Sequence, residues 1–394
     1  MKKLFLLTAT FCFFSTNTIA SEQNFQLHGF VSQGLIDVDG SNFVNDDGAL
    51  STELTELGLN ASYQLNSSFR LAGQMVYLDG GNRYNDGVRV DYALLDWSAY
   101  TNENWQINLY LGRYKNYHWL YSSTRDIPFT RPSIILPQSV YFDGFRDIAV
   151  GADGIAVKVN YSSDGLGYFD FNFSTGVSSI SDKQTKIILS DFALGDMKHT
   201  YDLQMSLYWQ PFLSPWRFGL ALLDSDFEYD AASQGDAFID ATITLRRYFA
   251  NVLYEGESWE FSSEVFQERF IFDDFYYDGF TQDLIGQGIY VQSRYKVNNE
   301  LNLLLRYERF YANKDDKNGH NLESNSQGLV PSYFGYQHDA TIGFSYDLAA
   351  NFRMQFEYHY INGTARLTPV VLPDPQINDS KNWQLWAVQL MYWF

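Results

Sequence analysis

Residues 57–77 read LGLNASYQLNSSFRLAGQMVY. In the first half the odd positions are Leu57, Leu59, Ala61, Tyr63 and Leu65, and the even ones are Gly58, Asn60, Ser62 and Gln64. After Asn66–Ser68 the alternation resumes, with Phe69, Leu71, Gly73, Met75 and Tyr77 set against Arg70, Ala72, Gln74 and Val76. Side chains of a strand point alternately to opposite faces, so each half is a strand with one apolar and one polar side. The same period returns where Phe352, Met354, Phe356, Tyr358 and Tyr360 alternate with Arg353, Gln355, Glu357 and His359. None of these apolar sets carries a charge. A lipid-facing surface demands that, because Arg or Lys at mid-bilayer costs roughly 2–4 kcal/mol.

A soluble β-sandwich also alternates, so the connections have to decide. Short polar connections fall around Asn66–Ser68, Thr101–Asn104, Ser162–Gly167, Pro211–Pro215, Glu255–Ser258, Asn298–Glu300 and Ala349–Asn351. Between them lie longer acidic or glycine-rich stretches at 38–50, 79–87, 114–145, 178–199, 224–238, 272–284, 312–335 and 363–382. Short and long connections therefore take turns along the whole chain, as the periplasmic turns and outer loops of a transmembrane barrel do. All nine prolines fall in these connections, where strand interiors require them to be. Aromatic residues flank the short turns: Tyr63 and Phe69, Tyr100 and Trp105, Tyr161 and Tyr168, Trp209 and Trp216, Tyr254 and Trp259. Such girdles mark the membrane interface. The expected fold is all-β, a transmembrane antiparallel β-barrel of about sixteen strands.

Composition agrees. Aromatics make up 18% of the 394 residues, yet no run of about eighteen apolar residues exists to form a membrane helix. Residues 1–20 read as an exported signal peptide, with Lys2 and Lys3 before an apolar Leu4–Phe14 and a Thr18-Ile19-Ala20 cleavage site. That leaves 21–394 as the barrel. The single cysteine, Cys12, leaves with the leader, so neither a disulfide nor a thiol nucleophile is expected. A net charge of −20 argues against a nucleic-acid partner. The six histidines show no paired metal-ligand spacing. Asp224, Asp226, Glu228 and Asp230 look like an oxygen-ligand run, but Tyr229 stands where a calcium loop needs glycine. No metal and no cofactor are expected.

The last strand, Trp383–Phe394, is WQLWAVQLMYWF, with Trp386, Val388, Leu390, Tyr392 and Phe394 on one face and an aromatic end. Here the chain resembles the Gram-negative outer-membrane porins, whose closing strand is similarly amphipathic and ends on an aromatic residue. The resemblance implies that Tyr392 and Phe394 form an assembly signal read by the barrel-assembly machinery. It also implies a homotrimer in the cell outer membrane, in contact with lipid and lipopolysaccharide. In that family the third outer loop, between strands five and six, folds inward as the constriction. Residues 114–145 occupy its place.

That stretch is net basic in an acidic chain. Arg113, Lys115, Arg125, Arg131 and Arg146, with His118 in reserve, face only Asp126 and Asp143 between Arg113 and Arg146. Porin constrictions often oppose loop acids to wall arginines, so cation preference does not carry over. A few fixed charges in a narrow low-dielectric pore bias ion traffic, and rings of Arg and Lys mark anion pores. The five cations are therefore the expected pore constriction, with Tyr114, Tyr117 and Trp119 beside them. Arg70, Glu260, Glu264, Arg294, Arg306, Arg353 and Glu357 are the expected lumen wall, and Glu260 and Glu264 could tie the loop arginines down.

The function read from this is a passive diffusion channel for small hydrophilic solutes, anion-leaning, with no catalysis. Two alternatives stand beside it. One is a structural or adhesive barrel without an open pore. The other is an outer-membrane barrel enzyme such as a phospholipase, which needs an outward Ser–His pair, whereas His338 and His359 both read inward. Replacing Arg125 and Arg131 by Glu is expected to move the reversal potential in a salt gradient towards cations.

Overall fold

The structure, a computed structural model, describes residues 24–394 apart from 47, 85, 150 and 233. The leader, 1–20, lies outside the described residues. The strands are β1 (Phe25–Asp39), β2 (Thr55–Gln64), β3 (Phe69–Asp79), β4 (Gly87–Thr101), β5 (Trp105–Lys115), β6 (Gly151–Ser163), β7 (Gly167–Val177) and β8 (Asp196–Gln210). They continue as β9 (Trp216–Asp230), β10 (Ala241–Glu255), β11 (Trp259–Asp273), β12 (Thr281–Lys296), β13 (Leu301–Tyr311), β14 (Tyr336–Ala349), β15 (Phe352–Asn362) and β16 (Asn382–Trp393). Each pairs antiparallel with its neighbours in sequence, and β1 pairs with β16, from Phe30 opposite Trp393 to Asp39 opposite Gln384. The sixteen-strand sheet thus closes on itself. Closure removes the sheet edges that hydrocarbon could not solvate. The carboxy-terminal residue takes part, since Phe394 exchanges both backbone hydrogen bonds with Gly29, at 3.0 and 3.1 Å.

The faces follow the alternation. Leu59, Met75, Leu220, Val291, Leu305 and Ile342 point outward and are exposed, Leu220 by 63% and Leu305 by 61%. Their sequence neighbours Asn60, Gln74, Ala221, Gln292, Arg306 and Thr341 point into the barrel. At the short-turn end the girdle is built of touching ring pairs, with Trp105 on Tyr161 and Trp259 on Tyr295 at 4.6 Å and Trp216 on Tyr254 at 4.8 Å.

The strands run further than the alternation suggests. Asp224, Asp226, Glu228 and Asp230, read as loop residues, lie on β9, and Asp273 and Asp283 lie on β11 and β12. The β9 acids share the outward face of Leu220 and Leu222, while Leu223, Phe227 and Tyr229 point inward and are buried. Polarity therefore inverts along these strands. Beside lipid they are apolar outside and polar inside; past the lipid they are charged outside and apolar inside.

Long connections gather at one end. The third, 116–150, contains the single turn α1 (Arg146–Ala149); the fourth contains α2 (Asp182–Ile188) and the seventh α3 (His320–Asn325). Leu305→Arg places a cation in the lipid band and should cost about 2–4 kcal/mol. Arginine at the inward neighbour position Leu304 should cost less, and the two are compared by the temperature at which the folded band is lost on a heat-modifiability gel.

Candidate functional site

The third connection crosses the lumen and is held by charged wall residues that grip its backbone. Glu264 of β11 accepts from Leu120 N–H (3.2 Å) and from the Tyr141 hydroxyl. Glu308 of β13 accepts from Ser139 N–H at 2.6 Å. Glu357 of β15 accepts from Ile135 N–H at 3.1 Å and also from Ile134 N–H. The carbonyls are served by cations: Arg306 donates to Ile135 O at 3.1 Å and Arg353 to Phe129 O at 3.2 Å. A chain segment without secondary structure leaves its N–H and C=O groups to find partners elsewhere, and orphaned buried ones are costly. Charge-assisted bonds from an inward-facing wall answer that need. Apolar side chains complete the seat. Ile134 and Ile135 pack on Ile36, Val38 and Leu385, and Trp119, Val140 and Phe142 join the cluster of Phe249, Phe266 and Phe310.

The basic residues of the loop are tied into pairs. Arg131 grips Glu56 of β2 with both terminal nitrogens, at 3.0 and 2.5 Å. Arg125 meets Asp143 at 2.6 Å and Tyr141 O at 2.7 Å. Arg146 binds Asp126 at 2.8 Å, and Lys115 bridges Asp126 (2.7 Å) to Asp91. Asp126 and Asp143, the two acids noticed in the sequence, are thus the hubs of the cluster. Arg113 does not join it. It shares the outward face of Leu111 and forks onto Asp153 across the β5–β6 ladder at 2.9 and 2.6 Å. His118 is buried against Trp119 and Phe249, and burial pushes its pKa down to about 3, so it adds no charge at neutral pH. Tyr114 is buried, and Tyr117 lies under Lys158 of β6.

All seven expected wall residues face inward, but in two roles. Glu264, Arg306 and Glu357 hold the loop, and Arg353 does so while also pairing with Asp347 at 2.5 Å. Nearer the short turns, Arg70 pairs with Asp96 (2.7 Å), Arg294 with Glu260 (2.8 Å) and Arg217 with Asp170 (3.7 Å). Neither Glu260 nor Glu264 meets a loop arginine. Tyr392 and Phe394 lie on the outward face, their rings 6.3 Å apart. His359 is inward, bonded to Asp339 and Glu357, whereas His338 faces outward between Tyr311 and Tyr336, with Arg309 and Asn362 as its ladder neighbours.

Several partners escaped the sequence. Asp91 sits at a bulge opposite Gln74 and Met75 that breaks the alternation. Glu56 precedes the alternating stretch by one residue. The adjacent Arg246 and Arg247 divide between the faces, Arg246 outward to Asp224 and Arg247 inward to Glu268. Only the period of two, carried one residue further upstream, could have found Glu56.

This geometry changes what the arginine substitutions do. Arg131→Met strands a buried carboxylate and should destabilise the barrel by about 3–5 kcal/mol, and Glu56→Gln in the same chain should recover most of it. Heat-modifiability midpoints measure both. Burial alone would raise the Asp126 carboxyl, but Arg146 and Lys115 outweigh it and hold the group well below its ordinary value. A depressed carboxylate stabilises fully above its unfolded pKa of about 3.9 and loses that contribution as pH falls through the folded value. The midpoint difference between wild type and Asp126→Asn should therefore stay constant between about pH 8 and 5 and shrink below about pH 4.

No protein-family model matches the chain, and no curated protein matches it by sequence. Solved structures do match in shape. The anion-selective porin from Comamonas acidovorans aligns over 94% of this chain and 99% of its own, with TM-score 0.56 and 13% identity. Salmonella typhi OmpF, solved in complex with daunomycin, covers 94% of this chain and 97% of its own at TM-score 0.56 and 13% identity. OmpT, an outer membrane protein of Vibrio cholerae, covers 94% of this chain and 97% of its own at TM-score 0.54 and 14% identity. The fold of this chain is that of the sixteen-stranded outer-membrane porins.

Proposed function

We propose that this protein is a passive diffusion channel of the outer membrane for small hydrophilic solutes. The observation that carries the reading is the lumen on the short-turn side of the loop. Its wall is lined by the pairs Arg70–Asp96, Arg217–Asp170, Arg294–Glu260 and Arg353–Asp347. The Arg70 side chain keeps 45% of its surface exposed. Barrels of sixteen to eighteen strands are wide enough to leave an aqueous channel. A charged, solvated wall suits polar solutes, and the loop above it sets the size limit. Transport runs down a gradient, with no catalysis and no cofactor.

Charge preference rests on different residues from those the sequence suggested. Lys115, Arg125, Arg131 and Arg146 are each paired with Asp91, Asp126, Asp143 or Glu56, and Arg83 also reaches Asp143, at 3.6 Å. Lys158 has no such partner. It faces the lumen below the loop, its Nζ 4.8 Å from the centre of the Tyr117 ring, with no carboxylate partner among the described residues. A cation held on a ring face keeps its charge available to passing anions. The reading is a weak anion preference. By likeness of fold, the functional unit is a homotrimer seated in lipid and lipopolysaccharide and delivered by the barrel-assembly machinery through Tyr392 and Phe394.

In planar bilayers the purified protein should give stepwise conductance, and Lys158→Glu should move the reversal potential in a salt gradient towards cations. Folded protein that never conducts would overturn the channel in favour of a structural barrel. An unmoved potential would remove Lys158 from the filter.

A further inference from the structure

The polarity inversion leaves a cavity in the outer half of the lumen, on the opposite side of the loop from the charged vestibule. Its volume is about 380 Å³, within the range of small-molecule sites. Ile243, Leu245, Phe272 and Phe310 of the wall and Phe145 of the third connection supply its sides. Three further connections close over it, through Ile188 of α2, Leu322 of α3 and Val371. Sugars and simple ions would find few hydrogen-bond partners on such walls, whereas an apolar body would lose nothing by entering.

The exception is the floor. Arg366, only 2% exposed, lines the cavity together with Glu268. Its guanidinium lies 3.5 Å from the centre of the Phe310 ring and donates to Glu268 (3.3 Å) and Ser139 O (3.4 Å). Arg247 donates to the same carboxylate at 2.7 Å. The Nε atoms of Arg366 and Arg247 have no hydrogen-bond partner among the described residues. Glu308 is engaged by Arg306 at 3.5 Å and by Ser139 N–H. Arg366 and Arg247 thus share the single carboxylate of Glu268, and positive charge exceeds negative at the floor of an apolar chamber. Burial presses the Arg366 pKa down to about 10, which leaves it cationic at neutral pH.

We propose that this cavity binds an apolar organic anion, a carboxylate on an aromatic or branched aliphatic body, with its head at Arg366. Buried guanidinium recognises carboxylate through directed donors, and the hydrocarbon wall selects the body behind it. The inference needs the barrel and its loops but not an open pore.

The test is calorimetric titration of the full-length protein in zwitterionic lipid nanodiscs, with empty nanodiscs as the blank for partition into lipid. Phenylbutyrate should bind about tenfold or more tightly than phenylbutyramide, which has the same body without the charge, and acetate should not bind. Arg366→Gln should abolish the difference between acid and amide. Ala312→Trp, which fills the cavity away from the ion cluster, should remove binding of both. The wild-type comparison stands even if a variant fails to fold. No binding of phenylbutyrate, equal binding of acid and amide, or undiminished binding by folded Ala312→Trp overturns the proposal. Because no current is measured, a barrel that fails to conduct removes the channel reading and leaves this one in place.

Discussion

A stretch of backbone that crosses the inside of a barrel must find partners for its N–H and C=O groups without a ladder to supply them. Here the wall supplies them as charges. Glu264, Glu308 and Glu357 take N–H groups of residues 120, 139, 134 and 135, and Arg306 and Arg353 serve carbonyls at 135 and 129. Ionised partners make stronger bonds than neutral ones, and buried charges are tolerated only when paired. Loop and wall therefore satisfy each other. The third connection is as much part of the folded barrel as its strands.

This constraint changes the meaning of charge in the lumen. A basic loop looks like an anion filter until its partners are counted. Asp126 receives Arg146 and Lys115, Asp143 receives Arg125 and Arg83, and Glu56 receives Arg131. The other lumen features lie to either side of this clasp. On the short-turn side stands a wall of partly exposed ion pairs, with Lys158, unpaired among the described residues, beside them. On the outer side lies an apolar chamber over Arg366. Each follows from where the strand leaves lipid: the outward face changes from Leu220 to Asp224 on β9, and the inward face turns apolar in step, because the outer loops pack down on it.

The lipid belt was legible because contact with lipid is imposed on each residue separately. A period of two needs no knowledge of partners, so Leu57–Leu65 and Phe352–Tyr360 declare their outer faces unaided. Turn positions and girdle rings were legible for the same reason. Local irregularity defeats the rule. The bulge beside Gln74 and Met75 brings Asp91 to the inner side. Arg113 and Lys115 have equal parity, yet Arg113 lies outward on Asp153 while Lys115, at the strand's end, turns in to Asp91 and Asp126.

By itself the chain determined an all-β closed sheet of about sixteen strands, its lipid-facing side, the order of its strands and the existence of a long third connection. These are set by alternation and spacing, which are written locally. Only the tertiary structure decided which charges are free. The partners of Arg131, Leu120 and Ile135 stand 75, 144 and 222 positions away in sequence, and no periodicity links residues that meet because a sheet has closed around them.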